Sequence, residues 1–174
     1  MAKIKETQSQ VSQTINIKEI LGRTPTEAEK QSIGQALIDR IIERTESGKG
    51  LSGKNLKSPY SKEYADSLEF KAFGKSRGKV NMTLTGDMLA SIDILRSTRD
   101  TITIGIEGEQ AAKAFNHQTG DTVPKRRFFG VTQKDIRTAV SNNEGPSEPA
   151  EPGSFVDRAL SILLGDSDND TSES

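Results

Sequence analysis

The stretch Ile92-Asp93-Ile94-Leu95-Arg96-Ser97, followed by Thr98-Arg99-Asp100 and then by Thr101-Ile102-Thr103-Ile104-Gly105-Ile106, decides the fold. Its second half alternates apolar and polar residues without a break, the signature of a strand with one face buried and the other wet. A pairing slipped by one residue would turn every isoleucine to water, so the pattern also fixes the register. Turn-forming residues between the runs make the two strands neighbours. The sequence therefore predicts antiparallel strands over residues 92–97 and 101–106.

Outward from this hairpin the period changes. Thr24-Pro25-Thr26-Glu27 combines a Thr cap, a proline at the first helical position and a glutamate three residues after the cap. Ile33, Leu37, Ile38, Ile41 and Ile42 then recur at helical spacing, and Gly48 supplies a left-handed stop, which predicts a helix over 25–46. A second helix is expected over 58–76 with Tyr60, Tyr64, Leu68 and either Phe70 or Phe73 inward. Thr85 is positioned to cap a short helix over 86–91, a further helix over 109–117 would bury Ala111, Ala112 and Phe115, and Thr132 would open a last core helix over 133–142 with Ile136, Ala139 and Val140 inward. Residues 47–60 read as a loop, and Val123-Pro124-Lys125-Arg126-Arg127-Phe128-Phe129-Gly130 reads as a rigid extended segment.

Residues 1–22 carry Val11, Ile15 and Ile17 in too weak an alternation for a strand and are expected to form an extended arm. Residues 144–153 have the proline- and glutamate-rich composition of a flexible linker. Beyond them, residues 154–165 contain Phe155, Val156, Leu160, Ile162, Leu163 and Leu164, enough apolar surface to require a partner if they form a short helix. Residues 166–174 form an acidic tail with no apolar side chain, where disorder is expected. The fold class that emerges is α+β: a small antiparallel sheet packed with three to four helices over residues 23–143, plus a linker-tethered C-terminal helix.

The whole chain has 174 residues with 24 Lys+Arg, 25 Asp+Glu, one His and no Cys. The near-zero net charge conceals an asymmetry, because residues 144–174 hold eight acids and one base while residues 1–143 hold 23 bases and 17 acids. Absence of Cys removes disulfides, thiolate metal sites and cysteine nucleophiles. The single His117 cannot build a histidine metal site, and as a helix C-terminal residue it reads as a cap that complements the helix dipole. No Gly-x-Ser-x-Gly, His-Glu-x-x-His or calcium-loop pattern occurs, and Gly53-Lys54-Asn55 breaks the phosphate-loop pattern. No enzymatic activity, cofactor or metal is expected. No stretch reaches the roughly 20 apolar residues that span a bilayer, and the opening MAKIKETQSQ lacks a signal-type apolar core, so no membrane partner is expected and the protein should be made in a cytoplasm.

Two surfaces invite a partner. Residues 48–79 carry Lys49, Lys54, Lys57, Lys62, Lys71, Lys75, Arg77 and Lys79 against Glu63, Asp66 and Glu69. This cluster reads either as a solvated face or as an electrostatic footprint for nucleic acid. In the extended segment, one ring of the Phe128-Phe129 pair is expected to enter the core while Lys125, Arg126 and Arg127 face a partner; the alternative is that both rings are simply core.

Taken together, Leu84-Thr85-Gly86 with Met88, Leu89 and Ser91, then Ile104-Gly105, then His117 and Gly120, and finally Pro124, Arg126, Phe128, Phe129 and Gly130 form an ordered set over about residues 55–140. This set resembles the tailed-phage virion-morphogenesis and tail-completion proteins, the Mu G-like group and related minor tail components. Arg127 stands where a second proline is common in that family, and the proline-linked C-terminal segment lies outside its pattern. The resemblance implies a structural virion protein that completes the tail or forms the neck joining head to tail. It implies a homo-oligomeric ring, taken as a hexamer, contacting neck, connector, tail-terminator or tail-tube proteins, with transient contact to passing DNA, assembled in the host bacterial cytoplasm and resident in the virion. Partner contacts are assigned to Lys125, Arg126, Arg127, Phe128 and Phe129 and, in the C-terminal segment, to Phe155, Leu160, Leu163 and Leu164. The competing reading is a basic nucleic-acid-binding phage accessory protein.

Overall fold

The alternation around Ile104 produces the hairpin that it predicts. Strands β3 (Asp93–Ser97) and β4 (Thr101–Glu107) pair antiparallel, with Ile102, Ile104 and Ile106 fully buried. The computed structural model describes residues 3–57, 59–82 and 86–143, all within one unit that ends at Asn143. The linker, C-terminal helix and acidic tail expected over residues 144–174 lie outside the described residues, as does Thr85.

The N-terminal residues are not a separate arm. Strands β1 (Ile4–Thr7) and β2 (Gln10–Asn16) join the hairpin in a four-stranded antiparallel sheet of order β1-β2-β4-β3, which puts β2 at its centre. Val11, Gln13 and Ile15 lie opposite Ile106, Ile104 and Ile102 on the core face. The strand is hard to see in the sequence because its middle inward residue is a glutamine. On the other face Thr14 and Thr103 exchange a 2.8 Å hydroxyl hydrogen bond in the open, leaving that side of the sheet polar.

A bulge at Leu95 shifts the β3–β4 register between Ile94 and Arg96. It sits beside Gly105, where an added Cβ would lie 2.5 Å from the Val11 carbonyl oxygen and 2.7 Å from both Leu95 Cδ1 and Ser12 Cβ. Only glycine fits there.

Asn16 caps the short α1 (Ile17–Leu21), which ends at Gly22 in a left-handed conformation. The long helix α2 (Glu27–Glu46) packs on β3 and β4 through Ile33, Leu37, Ile38 and Ile41, whereas Ile42 is only partly buried. Its start differs by one frame from the expectation. Two overlapping Thr-x-x-Glu frames exist, and the reciprocal box forms between Thr26 and Glu29 instead of Thr24 and Glu27, with Arg23 adding an ion pair to Glu29. Buried Lys30 ties the helix to the hairpin turn by donating to the Thr98 carbonyl at 2.5 Å.

The helix expected over 58–76 is two short ones, α3 (Lys62–Asp66) and α4 (Leu68–Ala72). Ser61 and Ser67 each accept a bond from the backbone N–H three residues on, so Ser67 ends one helix and starts the next in an extended conformation. The break turns Leu68 outward, 87% exposed, and leaves Phe73 56% exposed, while Tyr60 and Phe70 are buried. Leu68 is therefore not an inner residue.

α5 (Asp87–Ala90) starts at Gly86, whose φ of 85° needs glycine and which provides no side-chain cap bond. α6 (Glu109–Thr119) packs on β1, β2 and β4 and buries Ala111, Ala114 and Gln118; Ala112 is exposed and Phe115 half-buried, so the inner stripe is rotated from the one expected. α7 (Gln133–Asn143) lies against α2 through Ile136, Ala139 and Val140, its start closed by reciprocal bonds between Thr132 and Asp135. The outcome is α+β, as the patterning predicts. No helix among the described residues is long and apolar enough to cross a membrane.

Candidate functional site

The extended segment after Pro124 runs through the interior without joining the sheet, so its backbone polar groups need other partners. Side chains supply them. The Gln118 amide from α6 closes on Phe129, accepting from its N–H at 3.1 Å and donating to its carbonyl at 3.3 Å. Gln13 from β2 does the same for Val131, accepting at 2.8 Å and donating at 3.3 Å. The Arg44 guanidinium from α2 donates to the carbonyls of the residues that precede each of these, Phe128 at 3.0 Å and Gly130 at 2.7 Å. Two glutamines thus imitate the ladder of a neighbouring strand and an arginine fills the alternate positions.

The same clasp continues at both ends. Arg126 N–H donates to the His117 carbonyl at 2.7 Å, and the Arg127 carbonyl accepts from Leu51 N–H at 2.8 Å. Arg44 also meets Asp135 at 3.4 Å, with both side chains nearly buried. Burial pushes the Asp135 carboxyl upward, but the Thr132 hydrogen bonds and the Arg44 charge outweigh it and hold the pKa below the ordinary value. Gly130 adopts φ 120°, a conformation closed to other residues, and its bare Cα faces Ile4 and Leu51.

Both Phe128 and Phe129 are fully buried, with ring centroids 6.4 Å apart in an edge-to-face arrangement. Neither is a partner contact on this chain, and the alternative that both are core is the one observed. Arg126 is also not a surface residue. It is 4% exposed and its guanidinium lies 5.2 Å above the Tyr60 ring, an arrangement in which the ring quadrupole replaces part of the lost hydration. Burial still lowers its pKa. Lys125 and Arg127 alone of the five are exposed. Phe155, Leu160, Leu163 and Leu164 lie outside the described residues.

Beside Arg126 a cleft of about 620 Å³ opens between the 59–64 segment and α6. Gln110, Lys113 and His117 follow one another at helical spacing along its α6 wall; Tyr60 and Tyr64 line the opposite side, and Met82, Met88 and Val123 contribute apolar surface. Burial, reinforced by the charge of Arg126, drops the His117 pKa to about 4. His117 is therefore neutral near pH 7 and does not serve as a cationic complement to the helix dipole, which corrects that expectation. Burial, with Tyr60 and Glu69 nearby, raises the Tyr64 pKa, so Tyr64 presents a neutral hydroxyl. Among the described residues no group of three or more His, Cys, Asp or Glu is placed to hold a metal ion.

Of the basic residues between 48 and 79, all but Lys75 are exposed, and Lys75 bonds the Asn81 side chain at 3.0 Å. The aromatics among them are not a stacking platform. Tyr60, Tyr64 and Phe70 pack on one another with centroids 5.3 to 5.5 Å apart, forming a satellite of the core.

Sequence reasoning missed Gln13, Arg44 and Gln118, which hold the clasp. The signal for two of them was present, since Gln118 falls on the buried stripe begun by Ala111 and Ala114, and Gln13 falls between Val11 and Ile15. A polar residue on an apolar stripe marks a buried partner. Compared with known proteins, the chain matches no family model, no curated protein and no solved structure.

Proposed function

We propose that this chain is a structural virion protein of a tailed bacteriophage, a tail-completion or neck subunit that forms a homo-oligomeric ring, hexameric by analogy, and acts without a catalytic step. One observation carries the reading. Most of the residues on which the family resemblance rests, where described, are buried and serve packing, and Met88, His117 and Arg126 of that set also line the cleft. Gly105 admits the β2 backbone, Gly120 ends α6 in a left-handed conformation, Arg126 covers Tyr60, Phe128 and Phe129 fill the core, and Gly130 makes the bend they need. Residues used for packing specify a shape, and a shape is what a ring subunit must present to its neighbours.

Within this reading the exposed Lys125 and Arg127, and the apolar residues Phe155, Leu160, Leu163 and Leu164, contact neighbouring copies or the adjoining neck and tail proteins. The protein is assembled in the bacterial cytoplasm and ends in the particle. The test is an amber mutation in its gene, with the particles examined by negative-stain microscopy. Filled heads and unattached or unfinished tails are the expected products; normal infectious particles overturn the reading. Retention of the purified protein on DNA that vanishes with rising salt, in place of ring assembly that survives salt, would replace it by the nucleic-acid-binding alternative.

A further inference from the structure

We propose that the cleft between the 59–64 segment and α6 is the acceptor for the C-terminal segment, residues 155–164, of a second copy of this chain. The proposal rests on the ring reading above and names the contact that would join its subunits.

The cleft has a specific chemistry. Its described lining contains Lys113, His117 and Arg126 and no Asp or Glu, set beside the apolar Met82, Met88 and Val123. His117 is held neutral and Arg126 is engaged on Tyr60, which leaves Lys113 as the exposed charge on its α6 wall. Exposed charges of both signs stand nearby in sequence, Lys57 and Lys62 together with Glu63, Asp87 and Asp121. Such a site fits a segment that is mostly apolar and carries carboxylates: apolar side chains enter the cleft, and a carboxylate meets Lys113.

The chain itself encodes that partner. Phe155, Val156, Leu160, Ile162, Leu163 and Leu164 lie among Glu151, Asp157, Asp166, Asp168 and Asp170, and residues 144–174 are strongly acidic while residues 1–143 are basic. The cleft, at about 620 Å³, has the size of sites that take up several apolar groups. Ten or more residues separate Asn143 from Phe155, a span with an r.m.s. reach of roughly 15–20 Å, sufficient to cross to an adjacent subunit. An arm passed to the next copy is a head-to-tail contact, the kind that closes rings.

The absence of Cys from the sequence makes the test direct. Full-length Thr122→Cys, at an exposed residue of the lining that leaves Lys113 in place, and full-length Ser161→Cys proteins are mixed and mildly oxidised. The expected result is a disulfide-linked pair containing one of each, formed well above the level given by Asp39→Cys, which is exposed on α2 outside the cleft lining. Adding Leu160→Asp and Leu163→Asp to the Ser161→Cys copy should return the yield to that control level. Linking at the control level in a protein whose native mass still shows the ring overturns the proposal and leaves the ring reading standing. An internal disulfide formed at high dilution by the double variant Thr122→Cys/Ser161→Cys, with no mixed pair, overturns the choice of a second copy, as does a link made only to another virion protein. Mixed pairs from a protein that plays no part in particle assembly uphold the acceptor and sink the phage reading.

Discussion

Gln118→Met isolates the clasp. Methionine matches glutamine in length and nearly in volume, so the interior stays filled while the Phe129 N–H and carbonyl, both inside the protein, lose their partners at 3.1 and 3.3 Å. A buried backbone group left unsatisfied costs about 1–3 kcal/mol, which for the pair gives a loss of about 2–6 kcal/mol. For a chain of this size, at about 2–4 °C per kcal/mol, that corresponds to a fall in Tm of about 4–24 °C. Urea unfolding followed by circular dichroism measures it as a shift in midpoint at constant slope. Gln13→Met should act similarly through Val131, and the double variant should lose less than the two single losses combined, because one released segment carries both defects. A loss under about 0.5 kcal/mol for Gln118→Met, the range of an ordinary surface change, would refute the account of the glutamines as substitutes for a strand ladder.

Gly105→Ala should destabilise by about 1–3 kcal/mol, since its Cβ would press on the Val11 carbonyl and the β2–β4 ladder must spread; an unchanged unfolding midpoint would contradict this. Thr26→Ala should cost about 1 kcal/mol and Thr24→Ala almost nothing in the same denaturation assay, because only Thr26 closes the capping box; equal effects would restore the other frame. The depressed His117 pKa makes stability pH-dependent in a definite direction. The unfolded chain takes up a proton near pH 6.5 and the folded one near 4, so stability is complete above 6.5 and falls as pH drops through that interval, and His117→Gln should flatten midpoint against pH there. A slope that persists in the variant would assign it to other groups.

The hairpin, α2 and α7 were legible because their apolar residues repeat with a single period and their ends carry caps or turns. Strand β2 was not, since its core face reads Val11, Gln13, Ile15 and the glutamine breaks the apolar run. Its inward place makes sense only once Val131, 118 residues away, is known to need a partner. The break between α3 and α4 was equally hidden, because a serine such as Ser67 is tolerable inside a helix and its choice to cap instead depends on Phe70 reaching the core. At the candidate site, the extended course of residues 124–130 followed from proline, whereas the inward turn of Arg126 did not. A cation is expected outside, and Tyr60, which makes its burial tolerable, comes from a loop 66 residues earlier.

The central position of β2 has a consequence for how the chain comes to be folded. Synthesis delivers Val11 and Ile15 early, yet their partners Ile106 and Ile102 emerge some ninety residues later, and the Gln13 amide waits for Val131. Through that interval the N-terminal hairpin has only its own two strands, which alone are marginal in water. Contacts spanning most of the chain slow folding and lengthen the exposure of apolar strand edges. Strand β2 thus leaves the ribosome well before the strand it pairs with and is among the last elements to be locked. Residues 128–131, threading past Gln118, Arg44 and Gln13, act as the closing stitch that fastens both ends of the domain at once.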